Sequence, residues 1–143
     1  MVDKMNKITY RKLKKYKYQI IEDYKVTIPI QPDNNIVSVF IELDTDGNLT
    51  IKAKYAWDGP SGPTIDTKNF MRGSLVHDAL YQLIRENPQF IEKRNEADQL
   101  LRQHCIEDGM SRFRAGVVYR GVKWFGKKSA LPVDEEKILY FAP

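Results

Sequence analysis

The sequence predicts an α+β fold in one domain, on three observations. Apolar residues alternate with a period of two through the first half, recur at three- and four-residue spacing through the second, and a Gly/Pro-rich stretch separates the halves. The expected order is an N-terminal antiparallel β-meander, a Gly/Pro loop and three helices.

Each element has its own signal. Tyr18 to Ile21 and Tyr24 to Ile30 are rich in Tyr, Ile and Val, with Val26, Ile28 and Ile30 alternating with Thr27 and Pro29. Ile36 to Leu43 alternates again and predicts a strand with Val37, Val39 and Ile41 on one face. Asp44-Thr45-Asp46-Gly47-Asn48 predicts a hairpin turn, because Asp-Gly supplies the positive φ that such a turn needs. Leu49 to Ala56 predicts the next strand, with Leu49, Ile51, Ala53 and Tyr55 inward and Thr50, Lys52 and Lys54 outward. Asp58-Gly59-Pro60-Ser61-Gly62-Pro63 then predicts a loop of defined shape, since Pro fixes φ and Gly permits unusual φ.

Phe70, Met71, Leu75, Ala79, Leu80, Leu83 and Ile84 predict a helix over 68–86, ended by Asn87-Pro88. A second helix is expected from Phe90 or Glu92 to Glu107, with Ile91, Ala97, Leu100, Leu101 and Cys105 on its apolar side and Gly109 as its stop. Ser111 reads as the N-cap of a third helix running to Phe125, with Gly126 ending it. An extended segment is expected at Ile138 to Phe141. Trp57 and Trp124 read as core residues, and Lys123, Lys127 and Lys128 as a solvated helix end.

Charge divides the chain. The whole carries +4 with a pI near 9.1. Residues 1–18 hold Lys4, Lys7, Arg11, Lys12, Lys14, Lys15 and Lys17 against Asp3 alone, so this segment sums to +6 and the remainder to −2. The organisation predicted is a basic arm over 1–17 and one α+β domain over 18–143. The arm, interleaved with Tyr10, Tyr16 and Tyr18, suits an anionic partner, lipid or nucleic acid; the plainer reading is a solvated arm that aids solubility.

Composition excludes other classes. The single Cys105 forms no internal disulfide, and one Cys with two His makes no classical zinc finger. No apolar run approaches the roughly 18 residues of a membrane-spanning helix, and the basic N-terminus lacks the apolar core of a signal peptide. The chain is expected inside the cell. Asp44 and Asp46 form at most a partial cation loop, since the position where an EF-hand has Glu holds Tyr55.

The residue types that point to chemistry lie in Gly73-Ser74-Leu75-Val76-His77-Asp78-Ala79-Leu80-Tyr81. Tyr81 is four residues from His77 and shares its helix face. If the first two helices pack antiparallel, Asp98, within Ala97-Asp98-Gln99-Leu100-Leu101, reaches His77. A histidine held by a carboxylate is a tuned base, and the neighbouring Asp78 is a candidate cation ligand. The bland alternative is a satisfied structural His–Asp pair with a core tyrosine. Ser61 could serve as a nucleophile with His77 as base, although no Gly-x-Ser-x-Gly elbow surrounds it.

The order of Tyr55-Ala56-Trp57-Asp58-Gly59-Pro60-Ser61-Gly62-Pro63, His77-Asp78-Ala79-Leu80-Tyr81 and Glu96-Ala97-Asp98-Gln99-Leu100-Leu101 resembles an uncharacterised family of tailed phages and prophages, the domain of unknown function 1353 family. Gly109-Met110-Ser111-Arg112-Phe113-Arg114 and Trp124-Phe125-Gly126 extend the likeness, which runs from Tyr24 to Gly126. Pro60-Ser61-Gly62-Pro63 departs from the family's Ala-Ser-x-Pro but keeps Asp58, Ser61 and Pro63, which makes Asp58 and Ser61 loop-site candidates. The resemblance implies a phage accessory protein in the cytoplasm of an infected or lysogenic bacterial host, or associated with the virion; the family has no established activity. His77-Asp78-x-x-Tyr81 with Asp98 is also similar to the active-site helices of phospholipase A2 enzymes. That likeness implies ester hydrolysis with His77 as general base, Asp98 orienting it, Tyr81 bonding Asp98, and Asp78 holding Ca²⁺. The alternative is a non-catalytic virion or host-interaction protein that binds a partner, nucleic acid or membrane through its arm.

Overall fold

The computed structural model describes residues 7–13, 18–57 and 67–129, with side chains described as far as Trp124. Among the described residues, seven short strands precede three α-helices. The Gly/Pro loop with Asp58 and Ser61, and the expected extended segment at Ile138 to Phe141, lie outside the described residues.

The strands form two sheets rather than one meander. In the first, β1 (Tyr10–Lys12), β2 (Tyr18–Ile20) and β7 (Ala56–Trp57) are antiparallel in the order β1-β2-β7. The second runs β3-β6-β5-β4, from β3 (Tyr24–Thr27), β4 (Ile36–Val37), β5 (Ile41–Leu43) and β6 (Asn48–Ile51). The expected strand Leu49–Ala56 is therefore cut in two. It breaks at Lys52–Tyr55, where Lys54 takes φ +77 and the backbone crosses from one sheet to the other. The strand expected from Tyr24 stops at Thr27, although Ile28 and Ile30 remain buried.

A second break corrects the strand expected over Ile36–Leu43. Val37 pairs with Glu42, and the Ser38 amide donates to the Ile41 carbonyl at 2.7 Å, so Val39-Phe40 is a two-residue hairpin loop. Val37 and Val39 point to solvent while Ile41 is sealed in the core. The Asp44–Asn48 turn forms as expected. Asp44 Oδ1 accepts from the amides of Asp46 and Asn48, both at 2.9 Å. These bonds, led by the Asn48 amide, hold the exposed Asp44 carboxyl below its ordinary pKa. Its oxygens thus serve the turn. Gly47 sits at φ +86, and a Cβ there would come within 2.2 Å of the Ile28 carbonyl oxygen, so only glycine fits.

Within the basic segment, Tyr10–Lys12 belongs to the first sheet. Tyr10 pairs with Ile20 and stacks edge-on against Tyr18 and Trp57, with ring centroids 5.4 and 6.1 Å apart. Arg11 donates to Gln19 Oε1.

Helix α1 (Lys68–Glu86) has the expected bounds. A 3₁₀ turn, Pro88–Lys93, delays the α-helical start of α2 (Arg94–Glu107) and leaves Ile91 exposed. Ser111 Oγ accepts from the Arg114 amide, as an N-cap should, ahead of α3 (Arg112–Ser129). Gly126 does not stop α3; glycine near a helix end costs only about 1 kcal/mol. Trp124 is 80% exposed rather than core.

Helix α1 is the shared element. One side packs on both sheets through Leu75, Val76, Ala79, Leu80 and Leu83; Phe70 packs with Leu101 and Cys105 of α2, Ala115 and Val118 of α3, and Met110 between them. Gly73 sets the α1–α2 distance. A Cβ there would lie 2.9 Å from Leu101 Cδ1 and 3.0 Å from Cys105 Sγ, so the helices touch where glycine leaves room. No helix among the described residues is long and apolar enough to cross a membrane.

Candidate functional site

Because α1 and α2 run antiparallel in close contact, His77, four residues past Gly73, faces Asp98, three residues before Leu101. His77 Nε2 lies 2.8 Å from Asp98 Oδ1. The Tyr81 hydroxyl donates to the same oxygen at 2.5 Å, and its ring packs 4.2 Å from the imidazole. Helical spacing thus aligns His77 and Tyr81, and the partner helix brings the carboxylate to both.

Asp98 is fully buried and His77 is 7% exposed. A buried carboxylate is costly unless its charge is met. Oδ1 is met by the histidine and the tyrosine; Oδ2 makes no hydrogen bond, but the Arg94 guanidinium lies 3.7 Å away, one turn earlier on α2. Burial pushes the Tyr81 hydroxyl pKa up, and its bond to Asp98 adds to this. Burial also works against a charged imidazole at His77, but the Asp78 and Asp98 carboxylates outweigh it and hold the His77 pKa above its ordinary value.

With Nε2 committed to Asp98, Nδ1 is the ring nitrogen on the Asp78 side. Asp78 Oδ1 is 3.8 Å from it, and the Asp78 side chain is 36% exposed, the wettest part of the cluster. Among the described residues, no group of three or more His, Cys, Asp or Glu side chains is arranged to hold a metal ion. Ca²⁺ takes about six to eight oxygens, so Asp78 and its described neighbours do not by themselves fit that ion.

The structure therefore brings together His77, Tyr81 and Asp98 and sets Asp78 at their rim; Asp58 and Ser61 lie outside the described residues. Sequence reasoning missed two participants. Arg94 was visible as a cation at i,i+4 to Asp98. Ser74 was visible as a polar residue three before His77 on an apolar helix. Its hydroxyl accepts from Trp57 Nε1 at 3.1 Å and donates to the Met71 carbonyl at 3.0 Å. That bond fixes the residue immediately before Asp58 to the turn of α1 preceding His77.

Two of the clefts on the described surface are lined by other side chains. One is lined by Gln99, Arg102 and Glu107 among others, the second by the β4–β6 hairpins; neither is lined by His77, Tyr81 or Asp98. Comparison with protein-family models, curated proteins and solved structures found no match to this chain.

Proposed function

We propose that this protein is a phage-type accessory hydrolase in which His77, held by Asp98, activates water against an ester. The supporting observation is the commitment of Nε2 to a buried carboxylate that Tyr81 also fixes, which leaves Nδ1 as the nitrogen able to act as base. In the step proposed, Nδ1 takes a proton from water as its oxygen adds to the ester carbonyl carbon. The tetrahedral intermediate then collapses, the C–O bond to the alcohol breaks, and the alcohol leaves with the proton that His77 returns. The Asp98 and Asp78 carboxylates offset the charge on the imidazolium; no step runs through a cation. The order of the motifs supports a phage or prophage source, and with it a place in the host cytoplasm or on the virion.

The assay is hydrolysis of phospholipid and soluble ester substrates by the full chain, with Ca²⁺ and with chelator. His77→Ala is expected to lower the rate at least ~100-fold, and the wild-type rate to rise with pH through a midpoint above the ordinary ~6.5 of histidine. An unchanged rate in His77→Ala overturns the proposal.

A second reading rests on the low exposure of His77 and Asp98. In it the cluster is a structural clasp, and the protein acts by binding an anionic partner through its arm. Lys7, Arg11 and Lys12 are among the described residues; Lys4, Lys14, Lys15 and Lys17 are not. That reading expects no hydrolysis by the wild type and partner binding that weakens steeply with salt.

A further inference from the structure

Helix α3 carries two apolar lines on opposite sides. Ala115, Val118 and Val122 face inward and pack with Phe70, Leu101, Cys105 and Met110. Phe113, Val117 and Trp124 lie four and seven residues apart, so at about 100° per residue they fall on one outward line roughly 16 Å long. Their exposures are 84%, 47% and 80%. Two fully displayed aromatic side chains and an aliphatic one in register are an unusual surface for water to face.

The charge that the helix itself carries has one sign. Residues 112–129 contain Arg112, Arg114, Arg120, Lys123, Lys127 and Lys128 and no acidic residue. Arg112, Arg120 and Lys123 are exposed beside the apolar line. Arg114 is engaged elsewhere, bonded to Thr67 and resting over the Phe70 ring.

We propose that the outer face of α3 docks on an anionic lipid surface. Apolar side chains with an aromatic at each end, flanked by Arg and Lys, match an interfacial helix that sinks its apolar line among acyl chains and keeps its cations at the headgroups. Complementarity to a negatively charged bilayer follows from Arg112, Arg120 and Lys123, exposed beside the line. A nucleic acid fits less well: bases stack on aromatic faces, and between Phe113 and Trp124 the line holds no further ring, only Val117 and Arg120. The docking surface is separate from the His77 cluster and independent of what that cluster does.

The test is co-sedimentation of the full chain with vesicles of phosphatidylcholine alone, or of phosphatidylcholine and phosphatidylglycerol in equal parts, at low and high salt. Binding is expected to the anionic vesicles and to fall with salt. Phe113→Ser with Trp124→Ser should weaken it at least about tenfold, and Arg120→Ala about fivefold. Both variants change exposed side chains, and unchanged circular dichroism and melting confirm their folding. Absence of anionic-vesicle binding by the wild type overturns the proposal. So does undiminished binding by the double variant, which would move the contact to the N-terminal arm. Preferential retention of a single-stranded oligonucleotide through these residues also overturns it and makes the surface a nucleic-acid site.

Discussion

The two histidines of the chain are buried to the same degree in the same helix pair and behave oppositely. His77 on α1 is 7% exposed and bonded to Asp98 of α2; His104 on α2 is 4% exposed, and its Nδ1 has no hydrogen-bond partner. The charge beside His104 is Arg72 of α1, whose guanidinium is clamped on Asp108 through Nε and Nη2, both at 3.0 Å, and on Glu107 at 2.9 Å. Burial first, and the Arg72 charge second, push the His104 pKa down to about 4, while Glu107 opposes them. At His77 the same burial is overcome by carboxylates and the pKa rises. Depth alone therefore makes a histidine neutral; the sign of its neighbour decides whether it stays so.

The change with the largest expected effect removes the neighbour. Asp98→Ala should destabilise the fold by about 3–5 kcal/mol, because it strands His77 and Tyr81 without their acceptor and Arg94 without its counter-charge. It should also lower the His77 titration, because only the Asp78 carboxylate is then left to oppose burial. Urea denaturation and NMR titration of the ring protons measure the two effects. A His77 pKa unchanged in this variant would show that Asp98 is not what separates the two sites.

Next in size is the pH dependence of stability, which differs in sign between the two. His104 has a folded pKa of about 4 against an unfolded value near 6.5, so the unfolded chain binds the extra proton first. Its contribution is constant above pH 6.5 and falls with acid, by about 2 kcal/mol at pH 5. His77 has a raised folded pKa, so its contribution is full below about pH 6.5 and is lost as pH climbs through the folded value. Denaturation from pH 5 to 9 should show His104→Gln removing the acid-side loss and His77→Gln removing the alkaline-side loss. Slopes of the same sign would break the contrast.

Smallest is Tyr81→Phe, which deletes one of two donors to Asp98 Oδ1 and leaves His77 in place. A loss of about 1 kcal/mol is expected, with His77 still titrating above its ordinary range. A loss as large as that of Asp98→Ala would make Tyr81, not His77, the main partner of the carboxylate.

The sequence made the α1–α2 seam legible because its information is local. Helical spacing joins His77 to Tyr81, and the 21-position step from His77 to Asp98 is a helix, a turn and a helix. The Asp44–Gly47 turn was legible for the same reason, since its chemistry lies within four residues. The strand breaks were not. Val39-Phe40 turns without Gly, Pro, Asn or Asp, and alternation reads alike across a straight strand and a tight hairpin. Lys54 in the left-handed region carries no compositional mark, so two sheets read as one. Trp124 misled through its type, because a tryptophan on an amphipathic helix signals burial until the opposite face is seen to hold the packing. Arg94 and Ser74 were missed because neither spacing says that a side chain bends toward a buried carboxylate or an indole.

The two tryptophans, one sealed and hydrogen-bonded to Ser74, the other on the open face of α3, make the chain its own optical probe. Indole emission shifts to longer wavelength as water reaches the ring, so Trp57 supplies the blue component and Trp124 the red. Trp57 joins the last strand of the first sheet to the helix that carries His77, so its component reports any loosening of that joint. The Trp124 component changes only when something covers the far side of the third helix. With no label attached, one spectrum separates an event at the candidate site from an event at the outer surface.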